Sequence, residues 1–265
     1  MHKTVRKILR TVADYDPDYY DMYADANEAW FAQLYLERVL RHAANAGLTS
    51  PATLLEAGCQ AGRLAVRFAQ RGFHVTGIDT SGFAIRRARE HAQHAGVDLK
   101  LIRGDLVEVL RKRPESRYDI VVCAEVLYLS AQYRPMLAAL AGAVRPGGLL
   151  CVSHRTTFYY LLEAVRLYDL PTAARVLHDS EGSFRDSKYY NWQDEQQLRE
   201  LYASVDVPAI NLYPIDRLSW LTGISPQTLT EAQRAQWLDL ELQLGEPATC
   251  GRYVLVIGSK AKTAA

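Results

Sequence analysis

The chain has 265 residues, 49% hydrophobic and 23% charged, an ordinary balance for a globular protein with one sizeable core. Its 31 Lys and Arg against 30 Asp and Glu leave a net charge of +1, which argues against a nucleic-acid partner or an anionic membrane surface and favours a small molecule. No apolar run reaches the ~18 residues of a membrane span, and the basic start, Met1 to Arg10, lacks the apolar core of a signal peptide, so a cytoplasmic protein is expected. Cys59, Cys123, Cys151 and Cys250 are far apart with no C-x-x-C pair. They read as free thiols, mostly buried, with no metal site among them.

Residues 1 to 50 read as a helical lid. An aromatic segment, Tyr15, Tyr19, Tyr20 and Tyr23, leads into an amphipathic run from Asn27 to Ala46 that Gly47 ends. From Ala52 short apolar runs alternate with helical patterns, the rhythm of βαβ units and a parallel sheet. Strands are expected at 53–57, 73–78, 99–102, 118–123, 148–153, about 207–213 and 252–258, with helices near 62–71, 82–94, 105–112 and 132–144. Right-handed crossovers put helices on both faces of a doubly wound α/β sheet. After the fifth strand the rhythm breaks, and residues 51 to 265 read as one α/β domain carrying two insertions. The first, about 155–190, has a helical aromatic run, Phe158 to Leu162, and a polar loop, Asp179 to Ser183. A helix capped by Asn191 or Asp194 then runs to Ser204. The second insertion, about 218–248, includes a helix from Glu231 to Leu244, and the tail from Lys260 to Ala265 is expected to fray. Trp192 and Trp237 are read as helical packing residues.

The segment Leu54 to Leu64 reads as a buried strand, a turn with glycines, and the start of a helix. Gly58 and Gly62 permit a tight turn and close approach to a ligand, and the helix start offers unsatisfied N–H groups. A dinucleotide fingerprint needs glycine where Gln60 and Arg63 stand. No Gly-Lys-Ser or Gly-Lys-Thr completes a P-loop. Glu56, at the strand end, repels a pyrophosphate and attracts an ammonium group, which points to a zwitterionic or cationic ligand. Asp79 ends the second strand twenty-one positions past Gly58, the spacing of an acid that accepts hydrogen bonds from ribose hydroxyls. Asp105 and Leu106, after the third strand, suit an adenine amino group and ring face. The bland alternatives are helix caps for Asp79 and Asp105, a satisfied structural acid for Glu56, and a solvent-facing loop residue for Glu125.

Together these segments resemble the successive motifs of the class I S-adenosylmethionine-dependent methyltransferases. The resemblance covers about residues 50–155, carries Glu56, Gly58 and Gly62 of the first motif, and departs from it at Gln60. It implies a Rossmann-like seven-stranded sheet, five parallel strands followed by an antiparallel pair. The implied cofactor is S-adenosyl-L-methionine, held by Glu56, Ala57, Gly58, Cys59, Gly62, Asp79, Thr80, Gly104, Asp105, Leu106, Ala124 and Glu125. The implied reaction is methyl transfer to a small-molecule oxygen or nitrogen, closest in form to enzymes acting on quinones and other small metabolites. Such chemistry aligns a nucleophile with the methyl group and needs a base only when the acceptor arrives protonated. By position at the sheet's carboxyl edge, His154 is the candidate base and Tyr128 a residue that orients the acceptor. Tyr19, Tyr23, Tyr128, Tyr159 and Tyr160 are the candidate acceptor-binding rings, set against the alternative that they form the lid's own core. Two rival functions remain, a non-catalytic S-adenosylmethionine-binding regulator and an NAD(P)-dependent oxidoreductase, and homodimerisation is left open.

Overall fold

Runs such as Leu54-Leu55 and Ile120-Val121-Val122, apolar on both faces, belong to strands covered on both sides by helices. In the computed structural model, which describes residues 19–115, 117–184 and 188–261, they form the centre of a seven-stranded sheet. The basic start, Tyr15 and residues 262–265 of the tail lie outside the described residues. Helix α1 (Ala26–Asn45) precedes β1 (Thr53–Ala57), α2 (Ala65–Gln70), β2 (His74–Asp79), α3 (Gly82–His94), β3 (Lys100–Arg103), α4 (Leu106–Arg111), β4 (Tyr118–Cys123), α5 (Tyr133–Ala143) and β5 (Val144–His154). Then come α6 (Thr157–Arg166), α7 (Leu170–Val176), β6 (Glu181–Phe184), β7 (Lys188–Asn191), α8 (Glu195–Ala203), β8 (Ile210–Ile215), α9 (Arg217–Thr222), α10 (Glu231–Gln243) and β9 (Tyr253–Ser259).

The strand order is β3-β2-β1-β4-β5-β9-β8. The first five strands are parallel. The last two pair antiparallel with each other, and β9 lies antiparallel to β5, so β9 alone runs against the sheet. The order reverses between β1 and β4, which makes their carboxyl ends the crevice where such sheets bind ligands.

Successive residues of β1 face opposite layers, as strand geometry requires. Leu54, with Ile120, Val122 and Leu255, packs against Trp30, Leu34, Tyr35 and Val39 of α1 and Phe68 of α2. Leu55, with Val121, Val152 and Val256, packs against Leu110 of α4, Leu137 and Leu140 of α5, and Leu198 of α8. Each fully buried leucine contributes roughly 1.5–3 kcal/mol. Helix α1 starts where Asp25 accepts the Asn27 and Glu28 N–H groups at 2.8 and 3.0 Å. Its apolar side belongs to the core itself, so what overhangs the sheet edge is the shorter segment before it, residues 19–25.

Of the polar stretch 179–183, expected as a loop, Asp179 and Ser180 are irregular but Glu181 to Ser183 are strand. Residues 181–184 pair with 188–191 in the β6–β7 hairpin, seated on Trp192. That tryptophan is fully buried and extended, not helical, and its Nε1 donates to the Asp179 carbonyl at 2.6 Å. Tyr159, Tyr160, Phe184 and Trp220 complete this third cluster. Asp194, not Asn191, caps the next helix, with Gln197 closing a capping box. No helix among the described residues is long and apolar enough to cross a membrane.

Candidate active site

The chain leaves β1 through a turn whose geometry only glycine satisfies. Gly58 has φ +76°, and a Cβ there would sit 2.4 Å from the Val126 side chain. The N–H groups of Gly58 and Cys59 donate to the Ile78 carbonyl at 2.8 and 3.1 Å, which pins the turn to β2. Gln60 is also left-handed, with φ 45°, and its backbone N–H donates to Asp79 Oδ2 at 2.9 Å. Its side chain turns outward: Nε2 donates to the Tyr20 carbonyl at 2.7 Å, and Oε1 accepts from the Met22 N–H at 3.4 Å.

A cleft of about 260 Å³ opens over this turn. Glu56, Gly58 and Cys59 come to it from β1 and its turn, Asp79 and Thr80 from β2, Gly104, Asp105 and Leu106 from β3, and Ala124 and Glu125 from β4. Two expected residues stay behind it. Ala57 points into the core with Leu55, and Gly62 lies in the turn before α2, where a Cβ would sit 3.2 Å from Val66 and 3.4 Å from Ala88 of α3. Gln60, where the pocket was expected to depart from the common pattern, lines the cleft too, and Met22, Arg63, Ile78, Val126 and Met136 line it without having been foreseen.

Glu56 is 4% exposed, and its Oε2 has no hydrogen-bond partner. Burial pushes its carboxyl up to about 8, although the Arg63 charge works the other way. An acceptor oxygen buried beside a cavity and left unpaired fits a cationic donor group in that cavity. Asp79 accepts from Gln60 N–H on one oxygen and from Ser81 N–H at 2.8 Å on the other, which leaves each a lone pair toward the cleft. Asp105 caps α4 through Glu108 N–H at 3.0 Å, so the cap reading holds, and it also lines the cleft.

Arg63 is the residue that motif reasoning used only to exclude a dinucleotide. It is 6% exposed, with Nη1 bonded to Glu28 of α1 and Nη2 2.8 Å from Glu125 Oε1. Glu125 is held in a left-handed conformation, φ 62°, with its N–H on Ser153 Oγ at 2.7 Å, a strained backbone of the kind that persists at functional sites. Across this Glu28–Arg63–Glu125 array lies a second cleft of about 760 Å³, walled by Tyr20, Glu28, Phe31, Tyr159, Trp220 and Arg252 among others.

The expected catalytic pair is elsewhere. His154 is fully buried, lines neither cleft, and sets Nε2 2.9 Å from the Tyr202 hydroxyl, and burial lowers its pKa to about 4. It is a neutral core histidine, because the last residue of β5 turns its side chain into the layer under α8. Tyr128 is 6% exposed beside Tyr253, with the Arg155 guanidinium 5.0 Å from its ring, and it too lines neither cleft. Burial pushes its phenol up to about 12.

The acceptor rings divide. Tyr159 does line the second cleft, stacked on Trp220 at 5.4 Å. Tyr160 is 2% exposed in the third cluster. Tyr19 packs on Phe83 at 4.7 Å and Tyr23 on His91 at 3.9 Å, both against α3 and away from the second cleft.

Residues 54–148 match a family model described as a methyltransferase domain. The sheet order accords with that match: the segment from β1 into β5 is similar to a methyltransferase domain, and the whole sheet has the fold of the solved methyltransferases below. Among known proteins it is similar to a ubiquinone biosynthesis O-methyltransferase of Serratia proteamaculans, 33% identical over 151 residues, 56% of this chain and 62% of that one. The Erwinia tasmaniensis protein of the same name is 33% identical over 150 residues, 56% of this chain and 61% of that one. The chain thus spans about three fifths of the length of the curated relatives it matches. The solved magnesium protoporphyrin IX methyltransferase of Synechocystis PCC 6803, with bound SAH, shares the fold over 97% of this chain and 99% of that one, with TM-score 0.59 and 15% identity. A Burkholderia thailandensis 1,6-didemethyltoxoflavin-N1-methyltransferase shares it over 91% and 84%, with TM-score 0.56 and 17% identity. At these identities the likeness is one of fold.

Proposed function

We propose that this protein binds S-adenosyl-L-methionine in the first cleft and transfers its methyl group to a small molecule held in the second. The observation that carries the reading is that Glu56, Asp79 and Asp105, from three separate strand ends, line one cleft at the point where the strand order reverses. The unpaired Glu56 oxygen suits the cofactor's ammonium group. The remaining lone pairs of Asp79 suit the ribose hydroxyls, and Asp105 and Leu106 suit the adenine. The cofactor supplies an electrophilic methyl group on a sulfonium.

The protein's task is then alignment and the exclusion of water. The second cleft supports a small acceptor over a nucleic acid: its cations are matched internally, Arg166 by Glu163 at 2.8 Å and Arg252 by Asp216 at 2.7 Å, so it offers no phosphate-binding stripe.

Calorimetry with S-adenosylmethionine and its demethylated product tests this. Wild-type protein is expected to bind both, and Asp79→Ala to weaken both at least about tenfold, the loss of one or two charge-assisted hydrogen bonds. Absence of binding to wild type would overturn the proposal.

A further inference from the structure

Glu28 links the two clefts through an ion pair. It comes from the first turn of α1, its carboxylate bonds Arg63, which lines the first cleft, and the residue itself lines the second. Arg63 occupies only one of its oxygens; among the described residues Oε1 has no hydrogen-bond partner, and it is not buried. The other carboxylates of the second cleft are spoken for, Glu163 by Arg166 and Asp216 by Arg252, Trp30 Nε1 and Ser219. Glu28 shares its single guanidinium with Glu125, so the array holds two acids and one base.

We propose that Glu28 is the general base of this enzyme, taking the proton of an aromatic hydroxyl that lies between Phe31, Tyr159 and Trp220 in the second cleft. This rests on the methyl-transfer reading above. The matched ion pairs favour an acceptor that enters neutral, and the rings favour a flat one. The acceptor oxygen attacks the methyl carbon. A C–O bond forms as the methyl–sulfur bond breaks with its electron pair left on sulfur, and the hydroxyl proton passes to Glu28 Oε1 and from there to solvent through the open cleft.

The setting suits the task. Burial, then the charge of Glu125, raise the Glu28 carboxyl to about 7, against the pull of Arg63, with Asp25 raising it and Arg252 lowering it. Among the described residues the Tyr20 phenol also faces it. A base poised near neutral pH transfers protons most effectively there.

The test compares catechol, which is un-ionised at neutral pH, with 4-nitrocatechol, which ionises readily, using labelled methyl donor and wild-type, Glu28→Gln and Glu28→Asp proteins. Binding of the demethylated product to each variant serves as the check on the fold and the cofactor site. Wild type is expected to methylate catechol at a rate that rises with pH through about 7. Glu28→Gln is expected to lose about a hundredfold or more on catechol, along with that rising limb, but less than about tenfold on 4-nitrocatechol, which needs no base; Glu28→Asp should keep the limb. Equal losses on both acceptors, or a limb preserved in Glu28→Gln, would overturn the assignment. So would wild-type protein that binds the product yet methylates neither catechol, an outcome that leaves the cofactor reading standing; failure to bind the product brings down both.

Discussion

Glu56 shows how one buried atom links stability to binding. Its Oε2 lacks a partner and its carboxyl is held up at about 8, so the free protein carries an uncompensated acid that a bound ammonium group relieves. Glu56→Gln keeps the size and removes the charge. Both the methyl donor and its demethylated product are expected to bind about 10–100-fold more weakly, the worth of a hydrogen bond to a charged group, roughly 1.5–3 kcal/mol. The two losses should be equal, because both ligands carry the ammonium; calorimetry that finds less than a threefold change would remove Glu56 from the site. This acid was legible in the sequence because it stands at a strand end just before a glycine turn, at the edge where such sheets bind ligands. His154 was placed by the same logic and fell on the wrong side. Alternation along β5 carries its side chain into the core with Tyr202, and position in a strand does not report which face a terminal residue takes.

At the scale of elements, the segment 19–23 is fastened along the rim of the first cleft. Gln60 holds Tyr20 and Met22 by their backbones, and Asp21 bonds Arg87 of α3 at 2.9 Å. The residue that departs from the familiar glycine therefore spends a left-handed conformation on a fastening. Gln60→Gly relaxes that backbone by roughly 1 kcal/mol and gives up three side-chain hydrogen bonds, to the Tyr20 carbonyl and from the Met22 and Ala61 N–H groups, of about 0.5–1.5 kcal/mol each. A modest loss of stability is expected, while the cofactor's dissociation rate rises about tenfold. Stopped-flow measurement checks this, and an unchanged rate would show that the segment does not retain the ligand. The departure at Gln60 was visible in the sequence, but its consequence was not, since its partners lie about forty positions away. The β6–β7 hairpin escaped for a related reason: its polar residues look like a loop until Trp192 gives them a surface to pair over.

For the molecule as a whole, the raised acids set a pH dependence. Glu28 and Glu56 are protonated in the folded chain up to about 7 and 8, whereas in the unfolded chain they ionise near 4.5. The folded state therefore holds more protons across that range, and stability falls as pH rises through it. His154 works oppositely, since its folded value of about 4 lies below its ordinary 6.5, but its contribution is complete above 6.5. Between pH 6.5 and 8 the acids act alone. Thermal melts of the cofactor-free protein are expected to show a lower Tm at pH 8 than at pH 6.5, with a smaller difference in Glu56→Gln; a Tm that rises over this window would contradict the buried, unpaired state of Glu56.

The sequence by itself determined the α/β rhythm, the glycine turn and the acids at the strand ends, because each depends on residues adjacent along the chain: strand period, backbone freedom at Gly58, and the spacing from Gly58 to Asp79. Only the tertiary structure decided what faces what. Arg63 meets Glu28 across thirty-five positions and Glu125 across sixty-two. The second cleft gathers α1, α6, α9 and the approach to β9, and the packing of the layers, which no local pattern encodes, sent His154 and Tyr128 inward and brought Glu28 onto Arg63.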